Sequence, residues 1–594
     1  MPVLLPASSF LLGLSRELPT PKLMLVTQKM TRLLAVQCSI AGGHVESTVP
    51  RRSGNFKECV WDHDYIQKSM QNNYCDDMCR TEINNLKHLV RLMLQEATVK
   101  VEQLELIDDL RRLGVAHLFD KEIERIMNGI YRESCMGVEY WAQTDLHTAS
   151  LTFRLLRQYG YFVPQDIFKS FLDSETGRFK LSLCEDIKGM LSLYEASYLS
   201  TEGETIIEEA MDFSTAYCHK IKSSSKVVAD TYLFTLLSHA LELPLHWRSQ
   251  RLEARWFIDI YPKKQGMYNC LLQLAKLDFN MMQSVYQDEL KDLSKWWENL
   301  GLGKAMDFAR DSLVISYMWS ASIYWEHGYE FCRKVVTQAV VILTTLDDVY
   351  DVYGSLDELE LFTSAIERWD MEAMEELPHY LKLCYSALYN FINESARFSL
   401  ITKGFDSLTT LRNTWTALLR SYLKEARWYH QGHQPTLKEY MSNARISVGV
   451  NLVTVHAYIF YPKPVSEAEL KYLESDPDIL QWAAIIFRIS NDLGTSREEL
   501  KRGDTPKSVQ CCMHDTRASQ EMAETHLRDL VTKGWKELNK LRYTDTNLSL
   551  TTIDIIMDTV RASLSIYQYI NSNGVQDTDT NKLLSKLLHD PIPL

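Results

Sequence analysis

Along most of this chain apolar residues recur at spacings of three and four, and no run alternates apolar and polar positions in the manner of strands. LIDDLRRLGV from Leu106, SLTFRLLRQYGYFV from Ser150 and DIKGMLSLYEASYL from Asp186 predict amphipathic helices, with turns where Gly160, Pro164, Gly177 and Pro244 interrupt them. A boundary is expected at YPKKQGM, Tyr261 to Met267, where a proline, two lysines and a glycine gather. Val335 to Asp351, VVTQAVVILTTLDDVYD, runs twelve residues without a formal charge into three aspartates, which predicts a helix in a core ending in carboxylates. Ile446 to Pro462 is uncharged over 17 residues but contains Gly449, Asn451 and His456, which predicts a broken buried helix rather than a bilayer helix of about 20 apolar residues. The pattern predicts an all-α protein.

Composition narrows this picture. Gly (23) and Pro (16) are scarce in 594 residues, as a helical chain requires, and the length suggests two to four domains at roughly 100 to 200 residues each. A formal charge of −14 argues against a nucleic-acid partner, which needs a basic face. The twelve cysteines are dispersed; neither Cys75 with Cys79 nor Cys511 and Cys512 with His514 has the second half that a zinc site needs. Residues 1 to 50 set Arg16, Lys22, Lys29 and Arg32 against Glu17 and Glu46, a composition resembling an organelle transit peptide. We expect three segments: 1–50 for targeting, 51–265 as an N-terminal helical domain and 266–594 as the domain carrying the chemistry.

Two motifs carry that chemistry. Asp347 and Asp351 are four residues apart, so on a helix both carboxylates project from one face, with Asp348 about 100° around. After the apolar run ILQWAAIIF, Arg488 leads into ISNDLGTSREEL, in which Asn491, Thr495 and Glu499 form a second stripe of hard oxygen donors. Asn491 and Asp492 are also acceptable helix caps, but the apolar run before Arg488 argues against a helix starting there. Two such stripes suit Mg²⁺, which favours octahedral oxygen coordination and reverses the repulsion that carboxylates alone would exert on a diphosphate. The aromatic residues of RDSLVISYMWSASIYWE (Tyr317, Trp319, Tyr324 and Trp325) could be core or ligand wall, and Arg51-Arg52 alone would read as a flexible surface segment.

RRSGNFKECVW, LDDVYDVYG, NDLGTSREE, the RDS motif 37 residues before Asp347 and the terminal PIPL together resemble the plant terpene synthases of the monoterpene type, over about Arg51 to Leu594. The resemblance implies an N-terminal α-barrel-like domain without its own activity and a C-terminal class I helical bundle. It implies that Asp347 and Asp351 bind Mg²⁺ with support from Asp348, that Asn491, Thr495 and Glu499 hold another metal, and that three Mg²⁺ ions bind with substrate, Mn²⁺ substituting. Arg310 and Arg488 would grip the diphosphate, Trp319 and Tyr567 would face the carbocation, and Arg51 and Arg52 would serve closure and isomerisation.

The implied reaction is conversion of geranyl diphosphate to a monoterpene by a soluble plastid monomer or weak dimer, with no nucleic-acid or membrane partner. Pocket shape between Val340 and Thr345, around Trp319 and around Gly449 would set the product. Farnesyl or dimethylallyl diphosphate is an alternative substrate. A chain-elongating synthase is disfavoured because Asn491, Thr495 and Glu499 stand where a second aspartate-rich motif would. A non-catalytic homologue is the third reading, supported only by Ser312, which stands where the family usually has arginine; Asn571 and Asn573 stand where related chains carry Asp and His, and with Ser312 they bear on the strength of ionisation and the final steps. No DxDD acid motif is present, since Leu106-Ile107 precede Asp108-Asp109.

Overall fold

Helix follows helix in the computed structural model, and the described residues pair extended backbone in one isolated bridge, Leu172 with Phe179. The structure describes residues 51–52, 54, 56, 59–71, 74, 77–134, 141, 143–223, 231–501, 503–568 and 578–594, except for the side chains of 497, 498, 501 and 578. The expected transit segment, Cys75, Asn571 and Asn573 therefore lie outside the described residues. Residues Arg51–Leu594 make one unit. No described helix is long and apolar enough to cross a membrane.

The sequence fixes helix ends with local chemistry. Asp145 accepts from the Thr148 N–H (2.8 Å) to start Leu146–Gln158, and Ser355 with Glu358 forms a capping box before Leu356–Arg368. Tyr261–Lys263, at the expected boundary, is a packed turn: the buried Tyr261 hydroxyl and Lys264 both donate to Asp109 (3.1 and 2.6 Å). Asp108 is paired with Arg154 at 2.8 Å, so this acidic pair braces helices.

The 32-residue helix Asn269–Leu300 holds the two ends of the unit together. It packs against His63–Ser69 and Asp77–Glu96, and its Asn280 exchanges two hydrogen bonds with the Ile592 backbone (2.7 and 2.8 Å). The terminal PIPL is thereby anchored, and Asn581 nearby accepts from the Trp61 indole (3.2 Å).

Seven helices position the site, labelled here in chain order: α1 Leu313–Ile323, α2 Glu330–Asp348, α3 Leu408–Gln431, α4 Leu437–Ser447, α5 Val450–Phe460, α6 Asp478–Lys501 and α7 Leu550–Tyr567. Successive contacts α1–α2, α2–α5, α5–α6, α6–α7 and α7–α1 close a ring, and α3 packs on α4 and α5. α1 is apolar on every side and ten of its eleven residues are buried, as expected of a helix surrounded by others.

Candidate active site

Both oxygen-rich motifs sit at the carboxyl ends of ring helices. Exposed carbonyls already make such ends negative, so aspartates and glutamates there are a cost to stability that a cation would offset. On α2 the half-buried residues Val340, Leu343, Thr344 and Asp347 form one stripe, while the residues between them are buried. This stripe is a wall ending in a carboxylate. The α-helix stops at Asp348 and continues as a π-turn, Val349–Tyr353, closed by the Gly354 N–H donating to the Val349 carbonyl (2.8 Å). Asp351 therefore leaves the ideal α register assumed from its spacing to Asp347.

Asp348 turns away from the stripe and is fully buried. Arg310 holds it with its backbone N–H (2.9 Å), Nε (2.9 Å) and Nη2 (2.6 Å), and reaches Asp347 through the same Nη2 (3.0 Å). Burial, together with Asp351 and Asp348, outweighs Arg310 and pushes the Asp347 carboxyl up to about 8. Arg310 is thus shared between Asp348 and Asp347, and Asp347 still sits in the net negative potential of its aspartate neighbours. Ser312 is 2 % exposed at the start of α1, with no partner for its hydroxyl, and adds no positive charge.

α6 begins at Asp478 and runs unbroken past the second motif, so Asn491 and Asp492 are interior residues and not caps. Asn491 accepts from Arg488 Nη1 (3.0 Å), and Thr495 donates back to the Asn491 carbonyl (3.0 Å). Asp492 is buried and faces the other way, accepting from the Tyr440 hydroxyl (2.9 Å) and the Ser508 N–H (3.0 Å). Sequence reasoning missed Lys507. Its ammonium lies 3.9 Å from Asp351 and 3.8 Å from Glu499, so the two motifs face each other within the span of one cation. Burial lowers its pKa, but Glu499 and Asp351 more than offset this and keep it protonated. The available signal was a lysine placed just beyond the acidic stripe, in RGDTPKS.

Arg51 and Arg52 are half-buried rather than loose on the surface, because each finds carbonyls at the ends of these motifs. Arg51 donates to the Tyr353 carbonyl (3.0 Å) and forks onto Glu358 (2.5 and 2.8 Å), with the Tyr353 ring 4.7 Å away. Arg52 donates to the Asp351 and Gly503 carbonyls, the latter at 3.1 Å, and lies 4.2 Å from the Tyr429 ring centre. One dipeptide therefore straps the end of α2 to the loop after α6.

The aromatic residues in and just after α1 divide between buried and half-buried positions. Tyr317 is fully buried and donates to Glu289 (2.7 Å), and Trp325 packs on His117. Trp319 instead meets Phe487 (5.2 Å) and Tyr567 (5.4 Å), three half-buried rings from α1, α6 and α7. Phe487, hidden within an apolar run, was not legible as a partner of Trp319 and Tyr567. Opposite α2, the break between α4 and α5 is set by Gly449 at φ 80°, where a Cβ would lie 2.5 Å from Leu343.

The donors are carboxylates, an amide and a hydroxyl, the hard oxygen set that suits magnesium and not zinc. Among the described residues no three His, Cys, Asp or Glu side chains gather as a ready metal cage.

Known proteins resemble this chain in sequence and fold. Residues 60–241 match the terpene synthase N-terminal domain and residues 298–537 match the terpene synthase family metal binding domain. Myrcene synthase, chloroplastic, from Quercus ilex is 44% identical, covering 97% of this chain and 96% of that protein. A crystal structure of limonene synthase with 2-fluorolinalyl diphosphate superposes with a TM-score of 0.88 at 36% identity, over 92% of this chain and 100% of that one. Isoprene synthase from grey poplar leaves, in complex with three Mg²⁺ ions and dimethylallyl-S-thiolodiphosphate, gives 0.82 at 37% identity over 90% and 99%. An all-α ring whose two oxygen stripes face each other, with both domain families matched and a relative 44% identical across nearly its whole length, leaves one assignment: the chain belongs to the terpene synthase family.

Proposed function

We propose that this protein is a monoterpene synthase, converting geranyl diphosphate to a ten-carbon terpene with the help of divalent metal. The observation that carries this reading is the facing of the two stripes across Lys507, with Arg51-Arg52 strapping both. Asp347 and Asp351 on one side, and Asn491, Thr495 and Glu499 on the other, would hold Mg²⁺, three ions in all with Mn²⁺ as a substitute, supplying charge neutralisation for the departing diphosphate. The chain's own residues do the rest. Arg488 and Lys507 present positive charge to the leaving oxygens, and Arg310 keeps Asp347 and Asp348 in place. The carbon–oxygen bond breaks with its electron pair leaving on diphosphate, and an allylic cation remains. Trp319, Phe487 and Tyr567 turn ring faces toward that cation. Loss of a proton gives a hydrocarbon; capture of water gives an alcohol. The basic amino-terminal stretch and the chloroplastic Quercus ilex relative support a plastid location.

Gas chromatography of protein from Arg51 onward, given Mg²⁺ and geranyl diphosphate, is expected to show ten-carbon volatiles. Parallel assays with dimethylallyl and farnesyl diphosphate test chain length. Release of neither volatile nor diphosphate from any of the three would overturn the assignment.

The strap gives a narrower expectation. Arg52→Ala removes the donors to the Asp351 and Gly503 carbonyls. Water then reaches the cation more often and closure weakens, so turnover should fall about 10-fold and the alcohol share of the products should rise. An unchanged product mixture would show that Arg52 plays no part in closure.

A further inference from the structure

Arg488 is held from behind by the broken helix. Its Nε donates to the Ala444 carbonyl (3.2 Å) and its Nη2 to the Ser447 hydroxyl (2.9 Å), both in the last turn of α4 before Gly449. Ser447 in turn donates to Glu425 on α3 (2.6 Å), which also accepts from Asn443 (2.9 Å). Glu425, Ser447 and Asn443 are 6, 2 and 5 % exposed, so this chain of hydrogen bonds is shielded from water. The remaining nitrogen, Nη1, points along α6 to Asn491 (3.0 Å).

The contrast with Arg310 gives the arrangement its meaning. Arg310 forks directly onto the carboxylate of Asp348 and also reaches that of Asp347. Arg488 meets a hydroxyl where a carboxylate could have stood, with Glu425 one step behind. The charge of Arg488 is only partly offset, by Asp492 at 3.6 Å from Nη1, an ion pair longer than a hydrogen bond whose carboxylate also accepts from Tyr440 and the Ser508 N–H. A hydroxyl fixes the plane of a guanidinium without cancelling its charge.

We propose that Ser447 is a positioning residue: by accepting from Arg488 and donating to Glu425, it aims the guanidinium at the diphosphate while leaving its charge available. The inference rests on the proposed role of Arg488 in gripping diphosphate. It also couples that grip to the helix break at Gly449, so a change in α4 is felt at the leaving group and not only in the pocket wall.

The test is calorimetric titration of the whole chain with inorganic diphosphate in Mg²⁺, beside steady-state kinetics with geranyl diphosphate. Ser447→Ala is expected to weaken diphosphate binding about tenfold and to raise KM more than it lowers kcat. Ser447→Thr and Ser447→Val are a shape-matched pair: the threonine variant should bind like the parent and the valine variant like the alanine one. Parent-like binding by folded Ser447→Ala, or equal behaviour of the threonine and valine variants, would overturn the relay. If the parent itself bound no diphosphate in Mg²⁺, the reading of the whole site would fall, and the relay with it.

Discussion

Asp347→Ala is expected to lower kcat/KM for geranyl diphosphate by roughly 10²- to 10³-fold, the loss associated with removing one group that stabilises transition-state charge. The same substitution should leave the protein as stable as the parent or more so. Asp347 sits beside Asp351 and Asp348 in a partly dehydrated place that pushes its carboxyl up to about 8. Between roughly pH 4 and pH 8 the folded, metal-free protein therefore holds a proton there that the unfolded chain has released. By linkage, that group makes stability fall as pH rises across the window. The thermal midpoint of the metal-free parent should drop more between pH 5 and pH 8 than that of Asp347→Ala. Equal activity in the variant would refute the metal assignment; a steeper pH dependence in the variant would refute the electrostatic account.

Lys507→Met is the second large effect. In the metal-free protein its ammonium compensates Asp351 and Glu499, and a methionine keeps the volume while removing the charge. We expect a loss of about 1 to 3 kcal/mol in stability, below the range for a fully buried pair because both carboxylates are partly exposed. Saturating Mg²⁺ should restore much of the lost midpoint, since a bound cation takes over the compensation. Turnover should not recover, because the missing charge also faces the leaving diphosphate; a loss of about 10²-fold is expected. A variant that regains both stability and rate in Mg²⁺ would reduce Lys507 to a structural role.

The helical class was legible because three-and-four spacing of apolar residues persists through the chain, and a helix surrounded by others, such as α1, reads as apolar throughout. The two oxygen stripes were legible because acidic residues ending an apolar run contradict the preference of a helix carboxyl end for positive charge. Lys507 and Phe487 were not. Each gains its place from contacts between elements distant in sequence; the nearness of Lys507 to the acidic stripe was its only local hint, and Phe487 breaks no local rule. The π-turn after Asp348 was hidden too, since an i, i+4 pair reads the same whether the helix beneath it is regular or widened by one residue. Ser447 had no signal at all: a serine near a helix end is ordinary, and only the approach of α3 and α6 gives it two partners.

The strap at Arg51-Arg52 sets a limit on how far the amino terminus can be trimmed. A cut just before Arg51 keeps both latches; a cut one peptide bond beyond Arg52 removes the fork onto Glu358 and the two bonds that join Asp351 to Gly503. That second cut shortens no described helix, since the first of these begins at His63. The two trimmed proteins would share every described helix and differ in whether the ends of the two motifs can be tied together.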